Sequence, residues 1–201
     1  DCQRNNVPVL AIAAQIPSDE LGTDYFQATK PEFLFKDCSV YCESITHPGH
    51  MKRILSLALQ AAISKRGVAV IVISGDVANT KVTSSEPLKL FFEPCPTIIP
   101  SQDELKIIAS ILNHTKKTTL LWGYGCRGAR NEVLDLAKKI QAPIVHPLRG
   151  KEYIEHDNPY DVGMTGLIGF SSGYYAMEDC ETLLILGSSF PYCQFYPSKA
   201  K

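Results

Sequence analysis

Two rhythms of apolar positions divide the chain. Val7-Pro8-Val9-Leu10-Ala11-Ile12-Ala13-Ala14 is a continuous apolar run, which predicts a parallel strand buried on both faces. From His50 to Ser64, Met51, Ile54, Leu55, Ala58, Leu59 and Ala62 recur at helical spacing, and Arg66-Gly67 supplies a stop. Val68 to Ile73 reads as a second buried strand. The periodicity then lapses until about Pro100, and prolines enter at Pro87, Pro94, Pro96 and Pro100, as in a connection between domains. Ser101 with Glu104 three residues on is a capping-box signature, and Leu105, Ile108 and Leu112 continue that helix's apolar face. Strand Thr118 to Trp122, a glycine loop, helix Asn131 to Ile140 and strand Pro143 to His146 make a βαβ unit in sequence form. A last apolar run, Thr182-Leu183-Leu184-Ile185-Leu186, leads into an aromatic-rich loop. The pattern is α/β with parallel sheets: one domain over residues 1–78, a linker over 79–100 and a second domain over 101–201.

Composition narrows the function classes. With 45% hydrophobic and 20% charged residues among 201, the chain reads as folded protein. A formal net charge of -1 offers no single-sign field, so a nucleic acid or an anionic membrane is not an expected partner. Seven irregularly spaced cysteines, with no paired CxxC and no CxxC followed by HxxxH, suggest reduced thiols and no metal site. No apolar run approaches the ~20 residues of a membrane span and no basic leader opens the chain, so the expected location is cytoplasmic. The first strand is followed by too little structure to cover both its faces. Both ends are therefore expected to be cut points in a longer protein.

Candidate chemistry clusters in the second domain. Gly123-Tyr124-Gly125-Cys126-Arg127-Gly128 fits G-x-G-x-x-G between a strand and a helix, where absent side chains and a helix N-terminus could admit a diphosphate. A glycine turn that merely packs helix on strand fits as well. The next strand, ending at His146-Pro147, lacks the acidic residue that would grip a ribose, which argues against the NAD geometry. Arg149-Gly150-Lys151 offers cations, Gly163 to Gly173 offers backbone approach with small hydroxyls, and Ser188-Ser189-Phe190-Pro191-Tyr192 offers hydroxyls and an aromatic wall. The competing readings are a solvated loop for Arg149 and Lys151, a turn into a helix for the glycine stretch, and core packing for Phe190 and Tyr192. Position favours a ligand cradle, because loops leaving parallel strands converge on one crevice.

Several stretches carry a family resemblance: Asn6 to Ala14, Tyr25-Phe26-Gln27, Arg66-Gly67-Val68, Ser74 to Ala78, Ala142 to His146, Leu148 to Glu152, and above all Asp157 to Gly169. Over essentially its whole length the chain resembles the pyruvate oxidase and quinone-linked pyruvate dehydrogenase branch of the thiamine-diphosphate enzymes. The resemblance implies the end of a parallel-sheet pyrimidine-binding domain followed by a Rossmann-like (DHS-like) central FAD-binding domain. It puts FAD at Thr165, Gly166, Leu167 and Ile168 and at Ser188, Ser189, Phe190, Pro191 and Tyr192, with Gly125, Arg149 and Lys151 as further members. It also puts Phe26 and Gln27 at the border of the substrate pocket. Taken without the family, Phe26 reads as core. Ala28 stands where related chains carry an acidic residue.

The implied activity is oxidative decarboxylation of pyruvate to acetate and CO2, with electrons passing through FAD to ubiquinone. The thiamine-diphosphate and Mg sites, and the carboxylate that activates the pyrimidine, are expected outside this chain, so the isolated piece is expected to be inactive. A homo-oligomer, a tetramer in the family, is the implied assembly, and a membrane surface is implied only through a region beyond Lys201, on the inner face of the cell membrane. Acetolactate synthase and a phosphate-consuming pyruvate oxidase are the alternatives among enzymes. A nucleotide-binding module without catalysis is the alternative outside them.

Overall fold

A computed structural model describes residues 1–82, 87 and 96–197. The chain forms two compact units, Asp1–Ile98 and Ile99–Lys201. Much of the linker expected from the proline pattern, including Pro94, lies outside the described residues.

The first unit runs β1 (Val9–Gln15), α1 (Pro31–Leu34), β2 (Tyr41–Ile45), α2 (Met51–Ser64), β3 (Val68–Ser74) and α3 (Gly75–Ala78). Its sheet is parallel, in the order β1-β3-β2. The apolar face of α2 is the one its spacing implies: Ile54, Ala58 and Ala62 pack on Ile45, Ala69 and Ile71. Burying each of these isoleucines stabilises by about 1.5–3 kcal/mol. Two expectations need correction. The strand covered on both faces is β3, at the centre, whereas β1 lies at the edge and leaves Ile12 67% exposed. The sheet also has a strand that periodicity did not announce, β2, whose Glu43 and Ser44 break the apolar run because this is the opposite edge.

A polar tie fixes the loop after β1. The Asp76 carboxylate, in the first turn of α3, accepts from the Ser18 amide at 2.9 Å and from Ser18 Oγ at 2.5 Å. The Ser18 hydroxyl, then the Ser18 amide, hold the Asp76 carboxyl below its usual pKa. A carboxyl depressed on folding stabilises above its unfolded pKa, about 3.9, and that contribution is lost as pH falls through the lower folded value. Asp76→Asn should therefore weaken the protein slightly at neutral pH, and the gap to the parent should close below about pH 4. Paired urea denaturation curves at the two pH values check this.

The second unit runs α4 (Gln102–His114), β4 (Thr118–Trp122), α5 (Arg130–Ile140), β5 (Ile144–His146), α6 (Lys151–Ile154), β6 (Asp161–Met164), α7 (Ser171–Glu178) and β7 (Thr182–Leu186). The capping box forms as the sequence predicts: Glu104 N donates to Ser101 Oγ at 3.2 Å, and Ser101 N donates to Glu104 Oε2 at 2.8 Å. The sheet is parallel, ordered β6-β5-β4-β7. Period-2 alternation sorts the residues of β4 between two cores. Leu120 and Trp122 join Val133 and Ala137 of α5, while Leu121 joins Met177 of α7. Helices on both faces leave every residue of β4 buried.

Candidate functional site

All four strands of the second sheet point the same way, so the loops leaving Trp122, His146, Met164 and Leu186 share one edge. Strand order runs outward from β4 through β5 to β6, then returns to β4's other side for β7. Such a reversal is where open α/β sheets open a crevice. Here the exit loops of β4 and β7 close on each other. Gly123 N donates to Leu186 O at 2.7 Å, and Gly125 N donates to Gly187 O at 2.8 Å. A Cβ on Gly123 would lie 2.3 Å from Gly187 O, and one on Gly125 2.8 Å from Gly187 Cα. These glycines serve the approach of two backbones, and the Gly125 amide is bonded to Gly187. The loop lies between strand and helix as the sequence predicts, with a 3-10 turn over Tyr124–Cys126 before α5 starts at Arg130.

The opening lies further along the edge, beyond β6. A pocket of about 330 Å3 is lined by Thr165, Gly166, Leu167, Phe170, Tyr174 and Phe195, among others. Thr165 is buried and its Oγ1 has no hydrogen-bond partner, although its amide donates to His146 O at 3.0 Å. Gly166 sits at φ +106, a conformation that suits glycine. Leu167, Ile168, Phe170 and Tyr175 are exposed apolar residues around this loop, with Leu167 69% exposed. A cluster of this kind beside an orphaned hydroxyl marks a ligand or partner surface more than a solvated loop. Behind it, Gly169 and Gly173 let the chain fold back on β6, since a Cβ at Gly173 would lie 2.4 Å from Met164 O.

The remaining sequence-predicted positions divide. Phe190 is buried in the core with Leu121, Val145 and Met177, and its ring edge lies 3.5 Å from where a Gly166 Cβ would be. It supports the Gly166 loop from beneath. Tyr192 packs edge-on against Phe190 at 5.3 Å between ring centroids, and Ser189 and Pro191 are exposed. Ser188 lies against Gly123. The Arg149 guanidinium lies over the Tyr124 ring at 4.4 Å, as does that of Arg127 at 4.6 Å, a cation–π stack that sequence reasoning missed. Lys151 Nζ donates to Glu155 Oε1 at 2.6 Å and so is committed to a carboxylate.

In the first unit, the ends of β1, β2 and β3 border a pocket of about 750 Å3. Gln15, Gln27, Lys30, Glu32, Ser44 and Ser74 supply its polar lining. Gln27 holds a left-handed φ of +64. Phe26 is 81% exposed, so the reading of Phe26 as core is corrected, and it adjoins the lining residues Tyr25 and Gln27 without being one of them. Ser44 Oγ donates to the Glu32 carboxylate across the pocket lining. Among the described residues no helix is long and apolar enough to cross a membrane.

Comparison with known proteins finds a family that the second unit resembles. Residues 105–201 match the family described as "Thiamine pyrophosphate enzyme, central domain". The chain is 53% identical, over its whole length and 51% of the relative's, to an uncharacterized 42.6 kDa protein of Pseudomonas amyloderamosa. It is 36% identical, over 98% of its length and 34% of the relative's, to the putative thiamine pyrophosphate-containing protein YdaP of Bacillus subtilis. It is 27% identical, over 94% of its length and 34% of the relative's, to the large subunit of acetolactate synthase isozyme 1 of Escherichia coli. The chain thus spans about half the length of the first relative and about a third of the other two. None of the three carries the name of a quinone-linked pyruvate oxidase. Residues 105–201, just under half of the chain, are thus similar to the central domain of thiamine pyrophosphate enzymes, and the chain as a whole is similar to parts of longer relatives.

Proposed function

We propose that this chain is part of a thiamine-diphosphate- and FAD-dependent enzyme that oxidatively decarboxylates pyruvate to acetate and CO2, and that its second unit holds the flavin. The observation that carries the flavin reading is the loop after β6. It combines an unpartnered buried hydroxyl on Thr165, a left-handed glycine at Gly166 and an exposed apolar rim at Leu167 and Phe170 around one pocket. A planar ring with polar edge atoms would suit that combination, with Leu167 and Phe170 offering apolar contact and Thr165 a hydrogen bond. When bound, FAD would supply the two-electron chemistry. This chain's residues bind and orient. Thr165 offers a hydrogen-bond partner, Gly166 permits close approach, and Phe190 keeps the loop in place. Gln27 would contribute a polar contact at the keto acid and Phe26 an apolar wall. Ubiquinone as acceptor, Mg beside thiamine diphosphate, and a homotetramer belong to the same reading through the resemblance to the pyruvate oxidase branch.

A second reading is acetolactate synthesis, favoured by the 27% identity to the Escherichia coli synthase over nearly the whole chain. Pyruvate turnover by the enzyme carrying this chain separates the two: acetate with reduced flavin supports the first, acetolactate the second.

Flavin occupancy tests the pocket itself. Gly166→Asp would set a carboxylate into a loop offered to an anionic cofactor, and like-charge juxtaposition costs several kcal/mol. Purified Gly166→Asp enzyme should carry less than about a tenth of the parent's visible flavin absorbance. Gly166→Ala, with ordinary contact to Phe190 but the same backbone strain, is the control for folding. Parent enzyme without flavin, or Gly166→Asp enzyme with full occupancy, would end this reading.

A further inference from the structure

We propose that His146, Glu155 and Asp161 form a binding site for a zinc-class divalent cation, separate from the residues that line the flavin pocket. His146 ends β5, Asp161 opens β6 beside it, and Glu155 follows α6. The His146 side chain is fully buried, yet neither ring nitrogen makes a hydrogen bond, and Asp161 Oδ1 is also without one. Nε2 nevertheless lies 3.4 Å from Glu155 Oε2 and 3.3 Å from Asp161 Oδ1. The ligating atoms of all three side chains fall within 4.8 Å of one another.

Those two separations have a geometric meaning. With zinc–nitrogen and zinc–oxygen bonds of about 2.0–2.2 Å, the edge of a tetrahedron joining two ligands is about 3.3–3.5 Å. His146 Nε2 therefore stands from each carboxylate oxygen where two ligands of one tetrahedral ion would stand. One imidazole with two carboxylates selects zinc or a neighbouring transition metal, because calcium and magnesium prefer all-oxygen sites. Burial, reinforced by the nearby Glu155 charge and opposed by His146, holds the Asp161 carboxyl above its usual range. A dication would relieve that.

Lys151 is the competitor. Its ammonium bonds both Glu155 oxygens and serves as the local cation in this structure. Lys151 is half exposed and can swing into water, whereas His146 cannot move away. Because His146 O also accepts the Thr165 amide at 3.0 Å, a bound ion would brace β5, the α6 exit and the Thr165 loop together.

The test uses the full chain with its exposed thiols, Cys2, Cys38 and Cys193, capped by iodoacetamide so that surface sulfur does not compete. Zn2+ is titrated by calorimetry and Co2+ by absorption. One equivalent should bind without a thiolate-to-cobalt charge-transfer band, and Zn2+ should raise the melting temperature. His146→Gln and Asp161→Asn should each weaken binding by at least the roughly 10- to 100-fold that even the partners of metal ligands are worth. Lys151→Ala should tighten it by removing the competing ammonium. Glu155→Gln, at a half-exposed position, guards against a variant that fails to fold. No binding, binding unchanged in Asp161→Asn and Glu155→Gln, or a cobalt spectrum dominated by thiolate would overturn the proposal.

Discussion

Gly123→Ala is expected to destabilise the second unit by at least about 1–3 kcal/mol, the usual cost of overpacking, with no ligand present. The added methyl would be placed 2.3 Å from Gly187 O and 2.5 Å from Ser188 Cβ. The first of these is backbone, held by the Gly123–Leu186 and Gly125–Gly187 hydrogen bonds, so it cannot rotate aside as a side-chain tip would. Either the β4 and β7 exits separate or those bonds break. Gly125→Ala should behave alike, with its Cβ 2.8 Å from Gly187 Cα and O. Gly128→Ala is the internal control, since nothing lies within 4 Å of its Cβ position. The protein's single tryptophan, Trp122, is fully buried in this unit and reports its unfolding by fluorescence. For a domain of this size each kcal/mol moves the midpoint by roughly 4–8 °C, so the ranking of the three variants is resolvable by thermal melts. The alternative reading of the motif, glycines kept for a diphosphate, predicts unchanged ligand-free stability and loss only of cofactor. That outcome would reject the packing account.

This difference shows how far the sequence could be read. The motif located a strand, a glycine turn and a helix correctly, because β4 and α5 carry strong periodicities, Leu120 and Trp122 against Val133 and Ala137. It could not say what the glycines approach. That depends on Gly187, more than 60 residues away, and on a strand order that puts β7 beside β4. The weak strands were missed for a related reason. β2 carries Glu43 and Ser44, and β6 is Asp161-Val162-Gly163-Met164 with Gly163 at φ +99, so neither shows a clean alternation. Both are edge strands, where one side has no partner to demand apolar residues. The carboxylate–histidine cluster was invisible on the same grounds. His146 and Glu155 fall nine positions apart around a turn, and only the pairing of β6 with β5 delivers Asp161 to them. By contrast, the glycine- and hydroxyl-rich stretch from Gly163 to Gly173 stood out in composition, while Thr165, Gly166 and Leu167 within it were singled out only by the family resemblance.

On the proposed pyruvate-oxidising function, Phe26→Ala in the enzyme that carries this chain should slow pyruvate-dependent flavin reduction by up to about a hundredfold, the scale on which mispositioning near the chemistry is felt. Melting temperature and flavin content should stay close to the parent's. The stability half of this expectation follows from exposure. A buried phenylalanine cut to alanine costs about 3–5 kcal/mol, but Phe26 is 81% exposed, and surface substitutions are usually within about 0.5 kcal/mol. The activity half follows from its neighbour. Gln27 lines the 750 Å3 pocket at the ends of β1, β2 and β3 and is held at φ +64. A non-glycine residue in that conformation is uncommon and points to a constraint on where its side chain, and the ring before it, must stand. Steady-state kinetics divides the effect. A lower kcat/KM with flavin content and stability retained identifies Phe26 as part of the keto-acid wall. Unchanged kinetics would leave Phe26 as an exposed aromatic with another purpose, and the proposed substrate site would have to be sought among the residues that line the pocket, such as Gln15, Lys30 and Glu32.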